Sequence, residues 1–143
     1  MKKVLVTGGA GFIGSHLVDQ LIDRGINVTI IDNLSTGKKE NINPKAKFIE
    51  CDISTTSYID LTFYLNNIDT VFHLAAKTAV QESIENPTLY NNINVKGTLK
   101  LLEAAAAMKV NRFVFSSSSS VYGDAKIPTT EQHELNPISP YAL

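Results

Sequence analysis

Short apolar runs alternate with longer stretches of mixed polarity along this chain. The apolar runs predict five β-strands, at residues 4–6, 27–32, 47–51, 70–74 and 112–116. Helical stretches are predicted between these strands. Because parallel strands need a crossover connection between them, the alternation predicts an α/β fold with a doubly wound parallel sheet and helices on both faces.

The first two helices are predicted from apolar residues that recur at helical spacing. The helix after the first strand carries Ile13, Leu17 and Leu21 on one face, and Gly25 stands where a glycine commonly ends a helix. A second helix is predicted over residues 55–65. Its residues available for the core are Ile59, Leu61 and Leu65.

The third predicted helix is the longest, over residues 87–109. Asn86 is predicted as its N-cap and Pro87 as its first helical residue. An apolar face recurs along this helix at Val95, Leu99, Leu102 and Ala106. Such a face must be covered by other apolar surface.

Three glycines mark the turn from the first strand to the first helix. Gly8, Gly11 and Gly14 allow a tight turn, close approach of a phosphate to the backbone, and close packing of helix on strand. Asp32 ends the second strand 18 residues after Gly14, near the spacing of a carboxylate that binds a ribose. The pattern predicts a dinucleotide site with NAD preferred over NADP, although Lys38 and Lys39 keep NADP open. Alternatively, Asp32 only ends a strand in a turn.

Further polar clusters also follow predicted strands. They are Asp52, the residues after His73, and the serines at 116–120. In a doubly wound sheet the carboxyl ends of the strands meet at one edge, where ligands bind near the switch point. Helix capping could explain any one cluster but explains the whole set poorly. We therefore expect a single ligand site along this edge.

Composition excludes several classes of protein. The chain has 143 residues, 43% of them hydrophobic, enough for one α/β domain with its own core. A formal net charge of −1 with no basic cluster argues against nucleic-acid binding. The single Cys51 forms no disulfide within the chain and no metal pattern, so no metal site is expected. No apolar run approaches a membrane span and no signal segment is present, so no membrane contact and a cytoplasmic location are expected.

Taken together, the motifs resemble the extended short-chain dehydrogenase/reductase family, in particular its NAD-dependent nucleotide-sugar epimerases, over essentially the whole chain. The motifs are TGGAGFIG at residues 7–14, DNLSTG at 32–37, CDI at 51–53, HLAA at 73–76, NVKGT at 94–98, SSSSSVYG at 116–123 and PISPYAL at 137–143. The resemblance implies a Rossmann-type fold, NAD as cofactor and a nucleotide-sugar substrate. It is closest to epimerases that act at C4 of UDP-hexoses such as UDP-glucose.

The resemblance also implies which residues hold the cofactor. With Gly8, Gly11 and Gly14 shaping the turn, the backbone amides of Phe12 and Ile13 would meet the pyrophosphate. Residues around the adenosine ribose would be Asp32, Asn33, Ser35 and Gly37, with Asp52 and Ile53 at the adenine. Those near the nicotinamide would be Leu74, Ala75 and Ala76, with Lys77 facing the cofactor and Asn94 supporting the backbone of the active site.

Ser118 and Tyr141 match the family's catalytic serine and tyrosine. By the resemblance, the tyrosine takes a proton from a sugar hydroxyl while a hydride passes to NAD, and the hydride then returns to the opposite face of the ketone. The serine hydroxyl orients the reacting oxygen. Related dehydratases carry an acid pair where this chain has Ser119 and Ser120, and serine can supply neither the acid nor the base that elimination needs, so dehydration is disfavoured.

The chain departs from the family pattern at its end. The lysine expected four residues after Tyr141 would be residue 145, and the last strands and the substrate domain also lie beyond residue 143. Residues 1–143 are therefore expected to be an incomplete NAD-binding domain with negligible turnover, with Phe113 and Phe115 losing cover at an edge strand. The helix at 87–109 matches the family's dimer helix, so a homodimer is expected. Two alternatives stay open: an NAD-binding module without catalysis, and a family reductase or dehydratase on another substrate.

Overall fold

A computed structural model describes residues 2–143, which form a five-stranded parallel sheet flanked by helices. The strands are β1 (Lys3–Thr7), β2 (Asn27–Asp32), β3 (Lys47–Glu50), β4 (Thr70–His73) and β5 (Arg112–Phe115). They lie in the order β3-β2-β1-β4-β5. The chain moves outward on one side of β1 and then on the other, so the switch point lies between β1 and β4. The predicted doubly wound sheet is confirmed.

The sheet has an apolar core on each face because its strands alternate their side chains between the two faces. One core packs under helix α1 (Phe12–Asp23) and contains Val4, Val6, Val18, Leu21, Val28 and Ile30. The other lies under helices α2 (Tyr58–Tyr64) and α5 (Thr98–Ala107), which contact each other, and contains Leu5, Ile31, Ile53, Leu61, Leu65, Ile68, Val71, Leu101, Ala104 and Ala105. Strand β1 contributes to both cores and is the centre of the fold.

The buried face of α1 differs from the predicted one. Ile13 is 70% exposed, whereas Val18 is fully buried and Leu21 nearly so. Gly14 lies one turn before Val18, and its missing side chain lets this face approach the sheet. The helix ends as predicted at Gly25, which has a φ of +73° and donates to the Ile22 carbonyl.

Helix α2 is shorter than predicted and buries fewer of its apolar residues. Leu61 and Leu65 are fully buried, but Ile59 is 76% exposed, so its assignment to the core was wrong. The helix begins after Ser57, whose side chain accepts a hydrogen bond from the Asp60 amide. This cap shortens the helix because Ser57 itself has extended backbone angles.

The long helix predicted over residues 87–109 consists of three contiguous segments. These are α4 (Pro87–Tyr90), a π-helical segment (Asn91–Gly97) and α5, which ends at Ala107. Pro87 is the first helical residue as predicted, but the Asn86 side chain makes no capping bond. Helix α3 (Val80–Glu85), which the sequence pattern did not predict, precedes it. The predicted apolar face lies on the surface of this chain, with Val95, Leu99, Leu102 and Ala106 exposed.

Strand β5 is an edge of the sheet and is only partly covered. Phe113 packs against the core under α2 and α5, so the prediction that it loses its cover was wrong, whereas Phe115 on the same strand is 57% exposed. The chain continues from β5 through a short 3₁₀ turn at Ser119–Tyr122 to Leu143. Within residues 2–143, no helix has the length and apolar character needed to cross a membrane.

Candidate functional site

The turn between β1 and α1 is shaped by glycines that no other residue could replace without moving the backbone. Gly8 has a φ of +71°, and a Cβ there would lie 2.8 Å from the Ala75 nitrogen. A Cβ on Gly14 would lie 2.1 Å from the Gly8 carbonyl oxygen. Gly11 is the N-cap residue of α1, and a Cβ on it would lie 3.2 Å from the same oxygen. The corner is therefore packed backbone against backbone.

The N-terminus of α1 is open to an anion. Among the described residues, no side chain caps the helix, and its first turn contains no acidic residue. The amides of Phe12 and Ile13 are the first of the helix and have no acceptor within it. Phe12 and Ile13 are 80% and 70% exposed, so these residues can contact a ligand in the cleft only through their backbone. Such a terminus, with its partial positive charge, fits a diphosphate.

Asp32 ends β2 beside this corner and is held by backbone amides. Its Oδ2 accepts from the Ala10 amide at 3.0 Å and its Oδ1 from the Leu34 amide at 2.8 Å. The side chain is only 7% exposed. Gly37 folds back against it, since a Cβ there would lie 2.9 Å from the Asp32 Oδ1. The carboxylate is thus fixed in orientation while each oxygen retains a free acceptor position.

Asp52 follows β3 and is the centre of a second polar group. Asn33 donates to its Oδ2 at 2.9 Å, and both the amide and the hydroxyl of Ser54 donate to its Oδ1, at 2.8 and 2.6 Å. Burial acts to raise the pKa of Asp52, but the hydrogen bonds from Ser54 and Asn33 outweigh it and hold the pKa below its usual range. Ser35 is tied to the same group because its amide donates to the Asn33 side chain at 3.0 Å.

One cleft at the carboxyl edge of β1, β2, β3 and β4 brings most of the predicted cofactor residues together. They are Gly8, Gly11, Asp32, Asn33, Ser35, Asp52, Ile53, Leu74, Ala75, Ala76 and Lys77. The other predicted members Phe12, Ile13 and Gly14 form the start of α1 behind the corner, and Gly37 abuts Asp32. Cys51 also lines this cleft; burial raises the pKa of its thiol, which lies 2.9 Å from the Thr56 hydroxyl.

A second cleft adjoins the first and contains the predicted catalytic pair. Ser118 and Tyr141 both line it, together with Asn94, and residues 74–76 form a wall shared by the two clefts. The Ser118 hydroxyl accepts from the Ser120 amide at 3.2 Å, so it also caps the 3₁₀ turn. The Tyr141 amide donates to the Ser83 hydroxyl at 3.2 Å.

Lys77 is placed by a cluster that the sequence pattern did not reveal. Its ammonium group pairs with Glu82 on α3, and the hydroxyl of the buried Tyr90 donates to the other oxygen of Glu82 at 3.0 Å. The hydrogen bond from Lys77, and then that from Tyr90, hold the pKa of Glu82 below its usual range. The Tyr90 ring meets the Tyr141 ring edge to face, with centroids 6.4 Å apart. No local signal marks Glu82, because α3 itself was not predicted.

Two further residues missed from the sequence are Thr7 and Thr98, which sandwich the side chain of His73. The Thr7 hydroxyl lies 2.6 Å from His73 Nδ1, and the Thr98 hydroxyl lies 2.8 Å from Nε2. Within residues 2–143, no group of three or more His, Cys, Asp or Glu side chains could hold a metal ion.

Similarity to known proteins agrees with this arrangement. The family model described as the NAD dependent epimerase/dehydratase family matches residues 4–143. A putative UDP-glucose 4-epimerase of Methanocaldococcus jannaschii is 46% identical over 142 residues, which cover 98% of this chain and 46% of that protein. The chain therefore spans about half the length of the relatives it matches.

Solved structures give the same result. A UDP-glucose 4-epimerase from Brucella ovis, solved in complex with NAD, superposes with a TM-score of 0.92 at 38% identity, covering 99% of this chain and 44% of that one. A UDP-N-acetylglucosamine 4-epimerase from Methanobrevibacter ruminantium, in complex with UDP-N-acetylmuramic acid, has a TM-score of 0.90 at 46% identity, covering 99% and 46%. The family's cofactor is the one predicted from the glycine corner and Asp32. The chain belongs to the NAD-dependent epimerase/dehydratase family.

Proposed function

We propose that this chain is the NAD-binding portion of an enzyme that epimerises a UDP-hexose at C4. The observation that carries this proposal is the uncapped N-terminus of α1, set beside the fixed carboxylate of Asp32 at the switch point of the sheet. Relatives that match almost the whole chain are named as UDP-glucose 4-epimerases. Residues 1–143 then form an incomplete Rossmann-type domain, and the substrate domain lies outside them.

Within the first cleft, each part of NAD has residues of suitable chemistry. The amides of Phe12 and Ile13 bind the diphosphate, and the free acceptor positions of Asp32 bind the ribose hydroxyls next to the adenine. A 2′-phosphate at that ribose would be repelled by Asp32, so NAD is preferred over NADP. The adenine lies near Asp52 and Ile53, and the nicotinamide lies against residues 74–76, the wall shared with the second cleft.

The second cleft supplies the groups for the reaction on the sugar. NAD, when bound, accepts a hydride from the sugar carbon and returns it. Tyr141 takes the proton of the reacting hydroxyl and gives it back when the hydride returns, so protons and electrons balance over the cycle. The Ser118 hydroxyl donates a hydrogen bond to the reacting oxygen and orients it. In the family, a lysine four residues after the tyrosine favours the phenolate; without it, we expect negligible turnover from these residues alone.

The proposal is tested by calorimetric titration and by crystals soaked with NAD. We expect NAD to bind with its diphosphate at the N-terminus of α1, and NADP to bind at least tenfold more weakly. A chain that shows no affinity for NAD, or that prefers NADP, would contradict the proposal. So would a dinucleotide found elsewhere in the crystal.

A second candidate function is an NAD-binding module without catalysis. The capping bond that the Ser118 hydroxyl accepts from Ser120 favours it, because a structural role already accounts for this serine. Incubating the chain with NAD and a UDP-hexose separates the two. NADH absorbance, even without turnover, supports the epimerase portion. Binding of both ligands without any reduction of NAD supports the module only if it is also seen in a chain extended through the substrate domain.

We also propose that the chain forms a homodimer through the exposed face of the π-helical segment and α5. Val95, Leu99 and Leu102 are 54%, 55% and 41% exposed on it, an apolar patch that a second copy would cover. Sedimentation of the Leu99→Glu variant should show a monomer, and Ile127→Glu, at an 87% exposed site elsewhere, should leave the dimer intact. A wild-type chain that stays monomeric at high concentration would refute the dimer. The cytoplasmic location stays a prediction, which cell fractionation can check.

A further inference from the structure

A chain of buried hydrogen bonds joins β1, β4 and the π-helical segment behind the two clefts. His73, at the carboxyl end of β4, is 1% exposed. Its Nδ1 lies 2.6 Å from the hydroxyl of Thr7 on β1, and its Nε2 lies 2.8 Å from the hydroxyl of Thr98 at the start of α5. The rings of Phe113 and Phe115 are its apolar neighbours, with centroids 5.8 and 5.7 Å away.

The groups available determine which one donates in each of these hydrogen bonds. The Ala75 amide donates to the Thr7 hydroxyl oxygen at 3.2 Å, and the Leu74 amide is shared between that oxygen and the Thr7 carbonyl, each at 3.2 Å. Among residues 2–143, the acceptor that meets the Thr7 hydroxyl is His73 Nδ1, so the hydroxyl proton points to it. Nδ1 therefore accepts, and the ring proton sits on Nε2. Nε2 donates to Thr98, whose hydroxyl in turn donates to the Asn94 carbonyl at 2.6 Å.

At its other end, this series of hydrogen bonds holds the backbone of Lys77. The Asn94 side chain accepts from the Lys77 amide at 2.9 Å and donates to the Lys77 carbonyl at 2.8 Å. The segment 74–77 is thus held at its start by Thr7 and at its end by Asn94. His73 and Thr98 join the two holding points through the interior of the protein.

Residues 74–77 lie where a ligand would bind, so the hydrogen bonds that hold them affect binding. Leu74, Ala75 and Ala76 are the wall shared by the two clefts, on the β4 side of the switch point. Asp32 and Asp52 lie on the other side, after β2 and β3. A shift of residues 74–77 would therefore change one end of the dinucleotide site and leave the adenosine end in place.

We propose that His73 and Thr98 are positioning residues that hold residues 74–77 against the nicotinamide half of the dinucleotide, without touching the adenosine half. This inference rests on NAD binding in the first cleft, as proposed above. The role requires the neutral Nε2–H form of His73, the only form that accepts from Thr7 and donates to Thr98 at the same time.

The test compares the affinities of NAD and ADP, because ADP keeps the adenosine and diphosphate but lacks the nicotinamide half. Thr98→Val removes the hydroxyl at nearly constant shape, and Thr98→Ser is its matched control. We expect Thr98→Val to weaken NAD about five- to tenfold, the effect of one lost hydrogen bond, with ADP affinity unchanged. Thr98→Ser should retain both affinities.

Two variants of His73 each retain one of the two hydrogen bonds that its ring makes. His73→Asn retains an acceptor toward Thr7, and His73→Gln retains a donor toward Thr98. Because His73→Asn and Thr98→Val break the same link, the double variant should weaken NAD no more than either single variant. Ring ¹⁵N shifts of the wild-type chain at neutral pH should show the Nε2–H form, a readout that needs no ligand and no variant.

The outcomes separate this inference from the proposed function. Equal losses of NAD and ADP affinity in Thr98→Val would show a general structural role and overturn the positioning role, as would unchanged NAD affinity. A wild-type ring protonated on Nδ1 would also overturn it. A wild-type chain that binds ADP but not NAD, or neither, would refute the proposed function itself, whatever the ring shifts show.

Discussion

Substituting Gly14 by alanine should move the N-terminus of α1 away from the β1 corner. The new Cβ would lie 2.1 Å from the Gly8 carbonyl oxygen, 1.3 Å short of the 3.4 Å at which ordinary contact begins. Its other near neighbours, at 2.9 Å, are the Gly8 carbonyl carbon and the Gly9 Cα. All three atoms belong to the backbone, so the clash cannot be relieved by turning a side chain. The helix must shift by about 1 Å.

The shift has a cost in stability and a larger one in binding. Overpacking costs ~1–3 kcal/mol, and alanine recovers ~1 kcal/mol through its better helix propensity, so a net loss of up to ~2 kcal/mol is expected. A hydrogen bond of ~2.8 Å from the first-turn amides to the diphosphate would lengthen beyond its useful range. Losing one charge-assisted bond of ~1.5–3 kcal/mol weakens NAD at least tenfold.

Gly25→Ala is the matched control at the other end of α1. A Cβ at Gly25 meets nothing within 4 Å, but the φ of +73° strains it by ~1–2 kcal/mol. Thermal unfolding should therefore show similar losses in both variants, whereas calorimetric titration should show weaker NAD binding in Gly14→Ala alone. The reasoning fails if Gly14→Ala binds NAD as the wild type does, or if both variants lose NAD affinity equally.

Three further predictions concern other parts of the site. Burial lowers the pKa of His73 from 6.5 to about 4, so the stability that its neutral form contributes is present above pH 6.5 and is lost as the pH falls toward 4. Urea unfolding should therefore show a chain ~2 kcal/mol less stable at pH 5 than at pH 7. An unfolding free energy that is the same at both pH values would contradict this. Asp32→Ala should weaken NAD about tenfold or more in titrations and reduce the preference over NADP; unchanged selectivity would exclude Asp32 from the ribose site. Burial raises the pKa of the Cys51 thiol, so it should react slowly with a thiol reagent near neutral pH. Because Cys51 lines the first cleft, bound NAD should slow the labelling further. Fast labelling that NAD does not affect would place the dinucleotide away from this cleft.

The strands and the phosphate corner could be predicted from the sequence because their signals are local. Strand β2 was predicted with its observed bounds, Asn27–Asp32, since its β-branched and apolar residues lie next to one another in the chain. The glycine spacing at 8, 11 and 14 predicted the turn into α1, and Gly25 predicted its end. In each case the residues that carry the signal are neighbours in the chain, and the backbone conformation restricts which residues can occupy them.

The parts that could not be predicted depend on contacts between distant residues. Ile13 and Ile59 are as apolar as their buried neighbours, and only the packing of α1 and α2 on the sheet leaves them at the surface. The π-helical segment interrupts a pattern that the sequence presents as one continuous helix. The bond between Thr7 and His73 joins residues 66 positions apart, which no local periodicity can indicate.

By itself, then, the sequence determined the α/β alternation, the glycine corner and the acid at the end of the second strand, because each follows from short-range backbone and burial preferences. Only the tertiary structure decided how these pieces form two adjoining clefts with a shared wall at residues 74–76. The same holds for the pairing of Lys77 with Glu82, and for the hydrogen bonds that hold His73. The physical reason is that side chains from different strands and helices meet only after the sheet has assembled, and their partners are chosen by that geometry.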